Sequence, residues 1–79
     1  MDPALALIDA LGGPANIVDI EPCSLRIRVE VASQGAVDEP ALRIPGVLAV
    51  VRSGRVVQIV AGLDSDDIAE RMRVRVFDS

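Results

Sequence analysis

The clearest alternation of polar and apolar residues lies in residues 26–31. Charged and aliphatic side chains alternate there, in the order Arg26, Ile27, Arg28, Val29, Glu30, Val31. Successive side chains of a β-strand point to opposite faces of its sheet. The pattern therefore predicts a strand whose charged residues lie on a solvated face and whose aliphatic residues lie in the core.

The N-terminal segment has the spacing of a helix. Leu5, Ile8 and Leu11 recur at helical intervals, and we expect all three to face the core. Asp2 is predicted to cap this helix and Gly12 to end it.

A second helix is predicted at the other end of the chain. Asp64-Ser65-Asp66-Asp67 has the acidic residues of a first helical turn, and apolar residues continue from Ile68 at helical spacing. The pattern predicts helix to about Arg73. Residues 72–76 also alternate like a strand, so the pattern leaves the conformation of the tail open.

The remaining segments complete an α+β pattern. Strands are predicted at residues 17–21, 47–51 and 55–61, with a turn at Arg52-Ser53-Gly54 and with Gln58 on the outer face. A short helix from Asp38 must end before Pro45. The predicted order is α-β-β-α-β-β-α, an α+β fold with a four-stranded antiparallel sheet and helices packed on one face. We expect residues 1–79 to form one domain.

Composition excludes several classes of function. The 79 residues are 51% hydrophobic and almost purely aliphatic, and 12 acidic against 8 basic residues give a net charge of -4. An acidic chain with one aromatic residue is a poor candidate for binding nucleic acid. The chain has no histidine and one cysteine, so we expect no metal, no cofactor and no disulfide. No apolar run approaches the length of a membrane span and Asp2 does not fit a signal peptide, so we expect a cytoplasmic protein. We also expect it to be a monomer.

The candidate chemistry lies in Cys23-Ser24-Leu25-Arg26-Ile27-Arg28. A cysteine in a predicted turn is unusual, because free cysteine is mostly buried. Two arginines on the same face of the next strand, roughly 6–7 Å apart, favour a nucleophilic thiolate and can bind a phosphoryl group. Backbone N–H groups of the turn, Ser24 included, can add an anion nest. The alternative is a small turn residue beside a charged, solvated face, and these residues alone leave both interpretations open.

Other cysteine chemistries fit less well. A tyrosine-phosphatase loop needs an arginine six residues after the cysteine, and that position is Val29. A thiol protease needs a histidine, and one thiol with scattered carboxylates is a poor metal site.

The order of the motifs resembles the glucose-type EIIB family of the bacterial sugar phosphotransferase system. That family's signature runs Gly-Gly-x-x-Asn-Ile, then Cys-x-Thr-Arg-Leu-Arg, then Gly-Val, and a glutamine in the last strand before a glycine. The corresponding segments here are Gly12-Gly13-Pro14-Ala15-Asn16-Ile17, Cys23 to Arg28, Gly46-Val47 and Gln58 to Gly62. The resemblance covers residues 8–69 and departs at Leu25, where the family has threonine.

The resemblance implies a function as well as a fold. Cys23 would be the phosphocysteine, with Arg26 and Arg28 matching the two family arginines beside it. Ser24, in the same turn, is a further candidate for binding the phosphoryl group. EIIA would donate the phosphoryl group from a phosphohistidine, and the membrane permease EIIC would present the sugar, which brings this protein transiently to the inner face of the membrane. EIIC sets the sugar, and stand-alone chains of this kind resemble N-acetylglucosamine carriers. The alternative is a diverged regulatory or sensory module that does not phosphorylate sugar, which the loss of the threonine hydroxyl at Leu25 favours.

Overall fold

The structure is a computed structural model that describes residues 1–78. Its helices and strands are α1 (Pro3–Ala10), β1 (Ile17–Pro22), β2 (Arg26–Val31), α2 (Glu39–Leu42), β3 (Ala49–Ser53), β4 (Val56–Val60) and α3 (Ser65–Phe77). This order confirms the predicted α-β-β-α-β-β-α arrangement. Short 3₁₀ turns at Pro14–Asn16, Gln34–Ala36 and Gly62–Asp64 join some of the elements.

All four strands form one antiparallel sheet in the order β1-β2-β4-β3. Helix α3 packs on β1 and β2, and α1 packs on α2 and α3. The helices therefore cover one face of the sheet and leave the other face open. Within residues 1–78, no helix is long and apolar enough to cross a membrane.

The two faces of the sheet separate as the alternation in β2 predicts. Ile27, Val29 and Val31 are fully buried beneath the helices, together with Val57 and Ile59 of β4. The residues on the opposite side make up what we call the open face. They are Asp19, Glu21, Cys23, Arg26, Arg28, Glu30, Ala49, Val51, Ser53, Val56, Gln58 and Val60.

Helix α1 begins and ends as predicted, but one of its core assignments is wrong. Asp2 caps the helix by accepting a hydrogen bond from the Ala4 amide at 3.0 Å. Leu7 and Ile8 are buried, whereas Leu5 is 40% exposed. At 3.6 residues per turn Leu5 lies roughly 200° around the helix from Leu7. A helix this short buries only a narrow stripe, and Leu5 falls outside it.

The hairpin of β3 and β4 turns later than the sequence suggests. Ser53 pairs with Val56, so Gly54 and Arg55 form the turn in place of the predicted Arg52-Ser53-Gly54. Gly54 has a φ of 57°, a left-handed conformation that glycine adopts without strain. Gln58 nevertheless lies on the open face, as predicted.

Asn16 joins the end of α1 to the sheet. Its side-chain amide donates to the carbonyls of Leu11 at 2.7 Å and Ser33 at 3.0 Å, and its oxygen accepts from the Ser33 amide at 2.9 Å. A Cβ at Gly12 would lie 2.9 Å from the Asn16 amide nitrogen, and Gly12 has a φ of 103°. The glycine and the asparagine therefore form one structural unit.

Helix α3 continues through the segment that the sequence left open. It reaches Phe77, with Met72 buried and Val76 packed against the core. Arg73 donates to the main-chain carbonyl of Ile20 on the edge strand β1 and lies 3.7 Å from the Asp19 carboxylate. Contacts made by one face of the helix therefore override the strand-like alternation of residues 72–76.

Candidate functional site

Ser24 and Leu25 form a two-residue hairpin turn between β1 and β2. The Cys23 amide donates to the Arg26 carbonyl at 2.9 Å, and the Arg26 amide donates to the Cys23 carbonyl at 3.2 Å. Ser24 and Leu25 between them have φ values of 43° and 69°. Positive φ at both central residues is the pattern of a type I′ turn, whose twist matches that of the flanking strands. Cys23 and Arg26 are therefore direct cross-strand neighbours.

The end of β4 fastens this turn. The Leu25 carbonyl accepts hydrogen bonds from the amides of Ala61 at 3.2 Å and Gly62 at 3.0 Å. Ala61 has a ψ of 11°, which turns its N–H group and that of Gly62 toward the same side of the chain. Gly62 then continues the chain with a φ of 65°, a left-handed conformation that glycine adopts without strain. The hairpin is thus held in place by a segment nearly 40 residues further along the chain.

Cys23 is exposed and forms no disulfide. Opposite residues of an antiparallel pair project from the same face, so Cys23 shares the open face with Arg26. Arg28 lies on that face two residues further along β2. The prediction that both arginines lie on the solvated face of β2 is confirmed, and the thiol is accessible beside that face.

Both guanidinium groups keep their positive charge available. Neither Arg26 nor Arg28 forms an ion pair with a carboxylate in the described part of the chain, whereas five other arginines do so: Arg43, Arg52, Arg71, Arg73 and Arg75. Arg26 instead donates from Nη1 to the Gln58 side-chain oxygen at 2.9 Å. Gln58 lies directly opposite Arg28 and therefore diagonally opposite Arg26.

Main-chain donors complete the arrangement around Cys23. The amides of Ser24 and Leu25 have no hydrogen-bond acceptor among residues 1–78. They are available to an anion bound at the turn. The four predicted site residues, Cys23, Ser24, Arg26 and Arg28, are thus brought together in one turn and the start of one strand.

The surroundings of the turn are open and apolar. Leu25 is 54% exposed, Leu48 is 72% exposed and Leu63 is 93% exposed. The Leu48 side chain would lie 3.9 Å from a Cβ at Gly62, the residue that fastens the turn. No pocket was found on the surface of residues 1–78.

The described residues contain no group of side chains of the kind that binds a metal ion. No group of three or more histidine, cysteine, aspartate or glutamate residues lies close enough to hold a metal ion within the described chain.

Sequence reasoning missed two parts of the site. The hydrogen bond from Arg26 to Gln58 depends on the register of β2 against β4, two strands that are distant in sequence and whose pairing no local pattern determines. The availability of the Ser24 and Leu25 amides depends on the left-handed conformation of these two residues. Serine and leucine are not typical of a type I′ turn, so the sequence contains no signal for it. Gln58, the one polar residue in an otherwise aliphatic strand, was the only sequence signal for its hydrogen bond with Arg26.

Comparisons with known proteins agree on one family. The family model described as "phosphotransferase system, EIIB" matches residues 6–38, which include Cys23 and both arginines. The chain is 43% identical over 63 residues to the "PTS system N-acetylglucosamine-specific EIIB component" of Streptomyces coelicolor, covering 80% of this chain and 82% of that protein. It also resembles the crystal structure of one domain of the PTS system IIabc component from Clostridium difficile. That similarity has a TM-score of 0.80 at 22% identity and covers 95% of this chain and 79% of that chain, and it confirms the fold class.

Proposed function

The chain belongs to the EIIB family of the sugar phosphotransferase system, and from this membership we propose that Cys23 carries a phosphoryl group from one partner protein to the next. The observation that carries the proposal is the placement of an exposed thiol on the same face as two arginines that form no ion pair among residues 1–78.

In the first step the Cys23 thiolate attacks the phosphorus atom of a phosphohistidine on EIIA. The S–P bond forms as the N–P bond breaks, and the departing imidazole nitrogen keeps the electron pair of that bond. In-line transfer of this kind depends mainly on positioning and on stabilising negative charge. Arg26, Arg28 and the free amides of Ser24 and Leu25 supply donors on the side of the turn where the phosphoryl oxygens would lie.

In the second step a sugar hydroxyl, presented by the membrane permease EIIC, attacks the phosphorus atom of phosphocysteine. The O–P bond forms and the S–P bond breaks, Cys23 departs as the thiolate with the electron pair of that bond, and the proton of the sugar hydroxyl is released to solvent. The relative from Streptomyces coelicolor is named for N-acetylglucosamine, and we propose the same sugar class here.

This proposal also fixes how the protein works with its partners. A monomer of one domain, acting at the cytoplasmic face of the membrane, leaves the open face free to meet EIIA and EIIC in turn. Because one thiol must face both partners, an uncovered surface suits the role better than a cleft does.

Incubation with phosphorylated EIIA, followed by intact-mass measurement, tests the proposal. Wild type should gain the mass of one phosphoryl group, and Cys23→Ser should gain none, because a serine hydroxyl is far less ionised near neutral pH. Ser53→Ala, on the open face but distant from the turn, is the matched control and should behave as wild type. A mass gain that persists in Cys23→Ser would place the phosphoryl group elsewhere and refute the proposal.

A second measurement separates the carrier from a regulatory module. Adding membranes that contain EIIC and N-acetylglucosamine should discharge phosphorylated Cys23 and yield sugar phosphate. A protein that is charged by EIIA but keeps its phosphoryl group under these conditions is a sensor and not a carrier.

A further inference from the structure

Gln58 is the one polar side chain of β4 on the open face, and phosphoryl transfer as described above does not use it. Its side-chain oxygen accepts a hydrogen bond from Arg26 Nη1 at 2.9 Å. It lies opposite Arg28 in the ladder, with Val56 and Val60 on either side of it on the same face. No carboxylate competes for Arg26 within residues 1–78.

From this geometry, and resting on the proposed function, we infer that Gln58 is a positioning residue that holds the Arg26 guanidinium ready for the phosphoryl group on Cys23. Gln58 acts through Arg26 and does not itself touch the phosphoryl group.

An amide oxygen suits this task better than a carboxylate does. Two guanidinium groups that leave the same face of one strand at i and i+2 repel each other, and a long arginine side chain at an exposed position samples many rotamers. A hydrogen bond to a neutral acceptor reduces the rotamers that Arg26 samples. It does so without cancelling the charge that the phosphoryl group needs, as an ion pair would.

The hydrogen bond between Gln58 and Arg26 spans a diagonal of the ladder. A diagonal cross-strand neighbour lies about 7–8 Å away between Cα atoms, which long side chains can span. Arg28, directly opposite Gln58 on one side and Glu21 on the other, forms no ion pair within residues 1–78. Gln58 thus separates the two guanidinium groups into one that is held over β4 and one that is free.

The test is the rate at which phosphorylated EIIA charges Cys23, measured over a range of EIIA concentrations. Gln58→Met keeps the length of the side chain and removes the strong acceptor. It should lower the maximal rate on the order of tenfold, the effect of losing one hydrogen bond to a charged group. The half-saturating concentration of EIIA and the thermal unfolding midpoint should stay at their wild-type values. Ser53→Ala, also on the open face, is the control and should change none of the three.

A double-mutant cycle shows whether Gln58 acts through Arg26. In an Arg26→Ala background, Gln58→Met should cause no further loss of rate. An equal loss in both backgrounds, or a wild-type rate for Gln58→Met alone, would overturn the inference while leaving the carrier function intact. Failure of wild type to accept a phosphoryl group, or labelling that persists in Cys23→Ser, would instead refute the proposed function itself.

Discussion

Leu25 has a backbone conformation that leucine rarely adopts. Its φ of 69° is left-handed, which costs an L-residue roughly 1–2 kcal/mol. The glucose-type EIIB signature has threonine at this position. A β-branched side chain is still less suited to positive φ, so Leu25→Thr would add a hydroxyl near the site and also raise the strain of the turn. Strain held at a turn that also carries the reactive thiol is consistent with a functional constraint.

Ser24 offers a direct test of this turn. Asparagine tolerates positive φ and is strongly preferred in type I′ turns, and the Ser24 side chain is exposed. Ser24→Asn should therefore raise the free energy of unfolding by roughly 0.5 kcal/mol, measured by urea denaturation. Ser53→Asn, in the extended strand β3, is the control and should give no gain. A loss of stability in Ser24→Asn would contradict the assigned turn type.

At the scale of elements, the β1–β2 hairpin depends on the end of β4. The Leu25 carbonyl accepts hydrogen bonds from the amides of Ala61 and Gly62, and Gly62 itself has a left-handed φ of 65°. The reactive turn is therefore part of the four-stranded sheet and not an independent loop.

Gly62→Ala measures this dependence. A Cβ there would meet only Leu48, at 3.9 Å, so the cost comes from the left-handed backbone and not from a clash. The substitution should lower the free energy of unfolding by about 1 kcal/mol, measured by urea denaturation. Gly35→Ala, at a glycine without positive φ, is the control and should be neutral or slightly stabilising. Equal effects of the two changes on the free energy of unfolding would show that the left-handed backbone at position 62 does not require glycine.

The sequence predicted the elements whose side-chain pattern is unambiguous. The alternation in β2 identified both faces of the strand, because a period of two has one solution once charged residues mark the solvent side. Residues 47–51 are uniformly apolar, so only the structure shows that Val50 packs against the core while Val51 is 52% exposed.

The candidate site also has a part that the sequence predicts and a part that only the structure shows. Cys23, Arg26 and Arg28 are close in sequence, so their proximity follows from one turn and one strand. The contacts of Arg26 with Gln58 and of Leu25 with Gly62 join residues more than 30 positions apart. Such contacts depend on strand order and register, which local patterns do not determine.

At the scale of the whole molecule, charge is unevenly placed despite the net charge of -4. Within residues 1–78 most arginines form ion pairs on the edges and helices, whereas the two beside Cys23 form none. One paired group, Glu39, joins α2 to β3. It lies 3.3 Å from both Arg43 and Arg52.

Acid titration tests the contribution of Glu39. Hydrogen bonds from Arg43 and then Arg52 lower the pKa of this carboxyl below its ordinary 4.5. A group whose pKa is lower in the folded state stabilises the fold above its unfolded-state pKa, and this stabilisation is lost as the pH falls through the folded-state value. Glu39→Gln should thus be slightly less stable than wild type near neutral pH, and the difference should shrink below pH 4.5 and then vanish.

Urea midpoints at a series of pH values provide the measurement. Glu30→Gln is the control, because Glu30 makes no ion pair within residues 1–78. A stability difference for Glu39→Gln that persists unchanged into acid would show that the ion pairs are not its cause.

The exposed leucines around the reactive turn have a practical consequence for spectroscopy. The chain contains no tryptophan and no tyrosine, so it has almost no intrinsic fluorescence. Leu63 is 93% exposed and directly follows the glycine that fastens the turn. A tryptophan introduced there would dominate the emission of the protein, and it would directly follow a residue that is hydrogen-bonded to the Cys23 turn, without disturbing the core. Its emission would report the arrival of a partner at this surface, free of background from the rest of the fold.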